Sequence, residues 1–427
     1  MPDTPPIPFS AKARRTTEQP ISYLMAAAVE NPDIISFAAG LVDPRTLPVM
    51  PVRKIVDDLL GNDERGRVVM QYGTTHGFAE LRQLLHQHLC DIDGVDYTAQ
   101  GVTPDHLVTA TGSQQAIYML ADVLADPGDI GICCQPDYFV YTGTLQSIGV
   151  EVVGVPMDEG GMCVEALERS FEELKHQNRL QLVRFVYVQT YHQNPTGLTL
   201  AADRRPAILE LVKKYSALAG HRIIIIEDAA YRELTYEGPE DQPWAPPTIK
   251  SLDVGNEYVA LSQTFSKPFA PGIKLGYAAL PGAVLDAVLQ QKGNHDFGSA
   301  NLAQHIAAEA LRTDVYADQL KALHDGYRAK MHAMLDALKR HMPDGVTWTH
   351  PRGGLYVWAT LPESIDTARE SALFADCVKR GVMYVPGDYC YTGANTPRNQ
   401  MRLSFGVVPI DKIELGIERL AAAVGAN

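Results

Sequence analysis

Between about residues 50 and 310 the chain alternates short, almost continuously apolar runs with longer stretches whose apolar residues recur every three or four positions. "HLVTATG" precedes "SQQAIYMLADVLA", and "DIGICCQP" precedes "YFVYTGTLQSIG". "EVVGVPM" follows, then "LVRFVYVQT" leads through a turn to "RRPAILELVKKYSALAG", and "RIIIIEDAAY" and "EYVALSQTF" close the series. Runs that stay apolar on both faces suit parallel strands covered by helices on either side. Their alternation with helical periods predicts an α/β fold, a mostly parallel, doubly wound central sheet flanked by helices. From about residue 311 the texture changes. A long amphipathic helix, "QLKALHDGYRAKMHAMLDALKRHM", precedes short strand-like runs, "VTWTH", "GLYVWATL" and "QMRLSFG". The pattern predicts an N-terminal segment over 1–49, a large domain over 50–310 and a smaller α+β C-terminal domain over 311–427.

In open α/β sheets ligands bind at the carboxyl ends of the strands, so the residues just after each run are the ones to inspect. After the first comes "TGSQQA": Gly112 allows a tight turn, and Ser113 and Gln114 open a helix whose free N–H groups suit a phosphate. Taken alone, the motif fits a plain helix cap at Ser113 better. "QPDYFVY" offers Tyr138, able to stack on a flat ligand or to pack in the core. "YHQNPTG" reads as a turn and offers the Asn194 amide, with His192 beside it. Four isoleucines in "RIIIIEDAAY" mark a buried strand that ends in Glu227 and Asp228. A buried carboxylate must be paired or bonded, and alternation puts these two on opposite faces, so at most one faces a given ligand. Tyr231 lies one turn beyond Asp228. In "TFSKPFAPGIK", Thr264 and Ser266 share a face by alternation, Pro268 biases Lys267 towards an extended conformation, and the "APGI" turn can return Lys274 towards the same place.

Composition narrows the field. The formal net charge of the 427-residue chain is −14, and without a Lys/Arg tract this disfavours nucleic acid as a partner. The longest apolar runs fall short of a membrane span, and the Pro-rich arm "MPDTPPIPFSAKARRTTEQP" has no apolar signal core. Six cysteines without metal spacing suit reduced thiols in a cytoplasmic protein.

Together the candidates match one cofactor. A helix N-terminus, two hydroxyls and a cation make a phosphate cup. A buried Asp holds a pyridinium N–H, an Asn and a Tyr bond a phenolic oxygen, a Tyr stacks, and a lysine forms an imine. These are the needs of pyridoxal 5′-phosphate.

The chain resembles the fold-type I pyridoxal-phosphate aminotransferases, and within them the aminoadipate and kynurenine subgroup. The resemblance rests on "ISFAAGLVDP", "MQYGTTHGFAELR", "TGSQQA", "QNPTG", "EDAAY", "SKPFAPGIKLGY", "HPRGGLYVWATLP", "VPGDYCY" and "MRLSFG", in the family's order over nearly the whole chain. It implies Lys267 as the lysine that joins the cofactor and moves the substrate Cα proton. Asp228 is implied at the ring nitrogen, Asn194 and Tyr231 at the phenolic oxygen, and Tyr138 on the ring. Ser113, Gln114, Thr264, Ser266 and Lys274 are implied at the phosphate. It further implies Tyr72 reaching the phosphate from a neighbouring subunit of a homodimer, Arg402 clamping the substrate α-carboxylate, and Gly40 lying against the substrate. Amino-acid and 2-oxo-acid substrates follow, with elimination, cyclisation or decarboxylation on the same scaffold as the alternative reaction. A regulator carrying a DNA-binding domain is disfavoured by the short arm. Three departures stand out: Lys274 where arginine is usual, Ala229 where a second Asp is frequent, and "TYHQNPTG", where an apolar or aromatic residue is commoner before the Gln. Arg14 and Arg15 are further candidates for reading a substrate side chain, and His295 for the dimer seam.

Overall fold

The computed structural model describes residues 7–18, 23, 31, 33–238, 245–393 and 395–427. Among them, strands β1 to β14, numbered in chain order, form three sheets. The largest runs in the order β2 (Leu107–Ala110), β9 (Gly276–Ala279), β8 (Val259–Thr264), β7 (Ile224–Asp228), β6 (Val183–Gln189), β3 (Ile130–Gln135), β4 (Glu151–Asp158), β5 (Gly161–Met162). Neighbours from β8 to β4 are parallel, β9 runs against both β8 and β2, and β5 runs against β4. Six strands therefore point one way and two point back: a mostly parallel sheet, as the apolar runs predict.

Residues of β7 explain why those runs are unbroken. Ile224 and Ile226 enter one buried cluster with the helix Gly112–Leu124. Ile225 enters the opposite cluster, with the helices Val164–His176 and Arg204–Ala219. Both faces need apolar side chains, and each buried isoleucine contributes roughly 1.5–3 kcal/mol. Glu227 and Asp228 continue the same alternation onto opposite faces.

A smaller antiparallel sheet orders β10 (Thr347–Trp348), β11 (Tyr356–Thr360), β14 (Gln400–Ser404) and β13 (Val385–Pro386). The helices Val315–His341 and Ile410–Val424 cover it in a third core. Near the amino end, β1 (Ile35–Ser36) pairs in parallel with β12 (Val382–Met383), and Phe37 and Ala38 are buried in that same core. The segment therefore leaves this two-stranded sheet and delivers Gly40 to Lys267, at the edge of the large one.

Candidate active site

The carboxyl ends of β2, β3, β6, β7 and β8 share one edge of the sheet, and the candidate residues follow them. Two glycines shape the first turn. Gly112 adopts φ +72°, a left-handed conformation open to glycine. An ideal Cβ on Gly276 would lie 2.6 Å from both Gly112 C and Ser113 N, so only glycine at the start of β9 lets this turn lie against the sheet. Ser113 and Gln114 then open the helix, half-buried, with Gln114 Nε2 donating to Thr144 Oγ1 at 3.4 Å. Ser266 Oγ lies 4.0 Å from the ideal Cβ position of Gly112, which brings the two loops together.

Asp228 ends β7 at 5 % exposure. Its Oδ2 accepts from the Tyr187 hydroxyl at 2.9 Å and its Oδ1 from the Ala230 N–H at 3.1 Å. Burial pushes its carboxyl up to about 6 against these two bonds. Glu227, on the other face, accepts from Thr190 Oγ1 (3.0 Å), Ile249 N (2.9 Å) and Lys250 N (2.8 Å), a scaffolding role. The chain turns at once, with Arg232 N bonding Ala229 O at 3.0 Å and Leu234 N bonding Tyr231 O at 2.9 Å. That turn brings Tyr231 back over the edge.

Lys267 is half-buried. Its Nζ donates to Gly40 O at 2.9 Å and lies 5.7 Å from the Tyr231 ring centre. Arg402, at the centre of β14, is 1 % exposed. Its Nη1 donates to Asn194 Oδ1 at 2.9 Å and its Nη2 to Ala38 O at 2.7 Å. Its Nε has no partner among the described residues. The guanidinium is flanked by the rings of Tyr356 and Phe139, centred 4.6 and 5.6 Å away. Tyr138 caps the helix Phe139–Ile148. Its hydroxyl is held above the usual phenol range first by burial and then by the charges of Tyr356 and Asp228. Lys267, Asp228, Asn194, Tyr231, Tyr138, Arg402 and Gly40 thus converge.

β8 stops at Thr264, so its alternation does not reach Ser266; instead Thr264 Oγ1 accepts from Ser266 N at 3.1 Å and donates to Leu275 O at 3.3 Å. Lys274 is exposed at φ +48° and bonds no described side chain. Tyr72 is 83 % exposed beside Phe297, away from this chain's own cluster. Arg14 bonds Phe9 O, and Arg15 bonds Ser147 O and Ile148 O at the far end of the helix that Tyr138 opens. Both arginines serve the fold, Arg15 complementing the helix C-terminus. His295 Nδ1 lies 3.2 Å from Gln115 Nε2. His192 is buried, bonded to Thr235 and Thr199, and burial pulls its imidazole down to about 3. It lines a separate cavity of about 1080 Å³, together with Trp348 and Arg352. None of Lys267, Asp228, Asn194 or Arg402 lines that cavity, so convergence of polar groups, rather than volume, marks the chemistry.

Four residues escaped the sequence reading: Tyr187, Gln189, Asp137 and Tyr356. Gln189 Nε2 donates to Asp137 Oδ1 (2.8 Å) and Asn194 O (3.0 Å), while its Oε1 accepts from Asn194 N (3.2 Å). It therefore grips Asn194 from both sides. Asp137 is 1 % exposed, and burial pushes its carboxyl up to about 8. Polar side chains at alternate positions of an otherwise apolar strand, Tyr187 and Gln189, were the available signal.

The donor set fits pyridoxal 5′-phosphate. The turn at Gly112 and Ser113 faces Ser266, a buried carboxylate stands at the strand end, an amine faces a phenol, and Arg402 keeps an unpaired donor.

Comparison with known proteins agrees. Residues 32–420 match the family described as Aminotransferase class I and II. The aromatic-amino-acid aminotransferase 1 of Thermococcus litoralis is 34% identical over 97% of this chain and 94% of its own. The 2-aminoadipate transaminase of Thermus thermophilus is 30% identical over 92% and 91%. The crystal structure of Pyrococcus horikoshii kynurenine aminotransferase in complex with PMP superposes with a TM-score of 0.88 at 33% identity, covering 98% of this chain and 97% of the other.

Proposed function

The chain belongs to the class I and II aminotransferases, and from that premise we propose how its own residues carry the reaction. It is a pyridoxal-phosphate-dependent enzyme that moves the amino group of an amino acid to a 2-oxo acid. The named relatives favour this transfer over elimination, cyclisation or decarboxylation.

When bound, the cofactor supplies an electron sink for charge developing at the substrate Cα. Asp228 would accept a hydrogen bond from its ring nitrogen. Burial raises the Asp228 carboxyl to about 6 in the chain alone, and a protonated ring nitrogen beside it would draw that value back down and keep Asp228 ionised. Asn194 and Tyr231 would bond the phenolic oxygen, Tyr138 would stack on the ring, and Ser113, Gln114, Thr264, Ser266 and Lys274 would hold the phosphate. Arg402 takes the substrate α-carboxylate, oriented by Asn194 and by the two flanking rings. Gly40 lies beside the substrate. An added Cβ there would come 2.8 Å from the Tyr356 hydroxyl, so glycine keeps the approach open. Lys267 moves the proton from Cα, its Nζ already held at the site mouth by Gly40 O.

The donors we assign are amino acids with long or aromatic side chains, supported by the names of the relatives and by the walls of Tyr138, Phe139 and Tyr356. Tyr72, at the surface, serves a partner's site in a homodimer. No helix among the described residues is long and apolar enough to cross a membrane, and six free cysteines support the cytoplasm as the setting. The division at 1–49, 50–310 and 311–427 belongs to the same reading, its second boundary falling in the last turn of the helix Asn301–Arg312, just before the helix Val315–His341.

The convergence of Lys267, Tyr231, Asn194 and Arg402 carries this reading. Its test is the absorbance of the loaded protein before and after a panel of amino acids, without any 2-oxo acid. Cofactor amination with one equivalent of 2-oxo acid is expected, aromatic and aminoadipate-like donors leading. Ammonia release with the spectrum restored would overturn it.

A further inference from the structure

The Tyr356 hydroxyl lies 2.9 Å from that of Tyr231, and the two rings meet edge-on with centres 5.6 Å apart. Exposure is 1 % for Tyr356 and 6 % for Tyr231. Two hydroxyls in contact share one proton, leaving the other proton for a third group. The surroundings of Tyr356 decide which is left. Its oxygen would lie 2.8 Å from a Cβ at Gly40, so the Gly40 backbone lies close against it. Beside its ring is the Arg402 guanidinium, which has donors and no acceptor. Among the described residues the Tyr231 hydroxyl is the hydrogen-bond partner of Tyr356, and on distance alone either oxygen could donate. Tyr231, in contrast, presents its ring to the Lys267 amine.

We propose that Tyr356 donates its proton to Tyr231 and thereby aims Tyr231's own proton out of the pair, at the phenolic oxygen of the cofactor. Tyr356 is then a positioning residue, and the inference rests on the role given to Tyr231 above. A bond received by Tyr231 polarises the bond it gives. The phenolic oxygen depends most on that bond when the Lys267 nitrogen, joined to the cofactor, has no proton to share with it. Strengthening the bond therefore favours the unprotonated nitrogen, and weakening it raises the pH at which the proton is lost.

Visible absorbance of the cofactor-loaded protein follows that proton across a pH titration, with no substrate present. Tyr356→Phe keeps the ring and removes only the hydroxyl. It is expected to raise the midpoint by roughly half a pH unit, the cooperative fraction of a charge-assisted bond. Tyr231→Phe should raise it by about one to two pH units, the whole bond. The double variant should go no further than Tyr231→Phe alone, because Tyr356 acts through Tyr231. A merely structural role for the Tyr356 hydroxyl would lower the thermal midpoint and leave the titration where it was. An unmoved titration in Tyr356→Phe, with a moved one in Tyr231→Phe, overturns the proposal and leaves the Tyr231 reading intact. No movement in either overturns both. Additive shifts in the double variant also overturn the proposal, since Tyr356 would then act without Tyr231.

Discussion

The two ends of β8 each carry a lysine, and the two amines live in opposite circumstances. Before the strand, Lys250 is 0 % exposed. Its three N–H groups are all used, on Asp253 Oδ2 at 3.1 Å, on Asn256 Oδ1 and on Val259 O at 2.6 Å. Beyond the strand, Lys267 is half-buried and uses one, on Gly40 O. The neighbouring strand repeats the contrast with carboxylates. Glu227 takes three hydrogen bonds from the scaffold, while Asp228 takes two and stands at the open edge. The same residue type is scaffold where its bonding capacity is filled and chemistry where capacity is left. In a mostly parallel sheet that unfilled capacity collects at the carboxyl edge, where loops rather than strands supply the partners.

Exchanging the lysines' roles by mutation should break this contrast most sharply. Lys267→Ala is expected to lower the half-reaction rate by about 10²–10⁴-fold or more, the span of a lost proton-transfer group. Its stability should change by no more than about 1 kcal/mol, one hydrogen bond's worth. Lys250→Met should do the reverse. Breaking a buried pair costs about 3 kcal/mol or more, read from urea unfolding, while the folded fraction keeps its turnover. Equal stability losses in the two variants would erase the distinction.

Arg402 tests whether geometry matters beyond charge. Its fork spans Asn194 Oδ1 and Ala38 O with Nε to spare. A lysine keeps the charge as a single point and loses the planar fork. Arg402→Lys should lower kcat/KM by roughly 10–100-fold, equivalent to one charge-assisted bond. The loss should appear for every donor amino acid, because the α-carboxylate is common to all.

The carboxylates sharpen the comparison by pH. The Asp228 carboxyl stands at about 6 in the folded chain, above its ordinary 3.8. A value raised by folding opposes folding once the group is ionised. The penalty is absent below about pH 3.8, grows as pH rises towards 6, and is complete above it. Asp228→Asn should therefore stabilise the cofactor-free protein at pH 8 by up to about 3 kcal/mol, with the gain shrinking at pH 5, while activity falls. Burial raises the Glu227 carboxyl as well, so Glu227→Gln also removes a buried charge, but it loses about 1–3 kcal/mol because its amide nitrogen cannot accept from the Ile249 or Lys250 N–H. Its gain at pH 8 should therefore be smaller than that of Asp228→Asn, or a loss, which urea titrations of both variants at the two pH values would check.

Much of this contrast could be read from the chain, and the exceptions have physical reasons. Four isoleucines before two carboxylates announce a doubly buried strand, and period-two alternation separates Glu227 from Asp228 without any coordinates. Lys267 is legible because a charged residue between apolar runs needs a purpose. Tyr356 was not legible, because its hydroxyl meets Tyr231 only when β11 of the small sheet is laid against the turn after β7. The shared face of Thr264 and Ser266 failed for a local reason: alternation holds within a strand, and the strand ends between them. Arg14 and Arg15 carried only their charge as a signal, and charge does not say that the nearest acceptors are backbone carbonyls.

Lys274 gives the smallest and most specific test. It lies at the carboxyl edge, seven residues after Lys267, yet it is exposed and held at φ +48° by the turn before β9. A non-glycine residue in this conformation costs of order 1 kcal/mol, which suggests that the turn is maintained for where it points the side chain. An ammonium meets a phosphate as a point charge, whereas a guanidinium can take two of its oxygens at once. Lys274→Arg should therefore slow cofactor loss during dialysis by a few-fold, about 1 kcal/mol, with the half-reaction rate of the loaded protein unchanged. A change in that rate with cofactor retention unmoved would assign Lys274 to the substrate rather than to the phosphate, and would place unfilled bonding capacity on the substrate side of the edge as well.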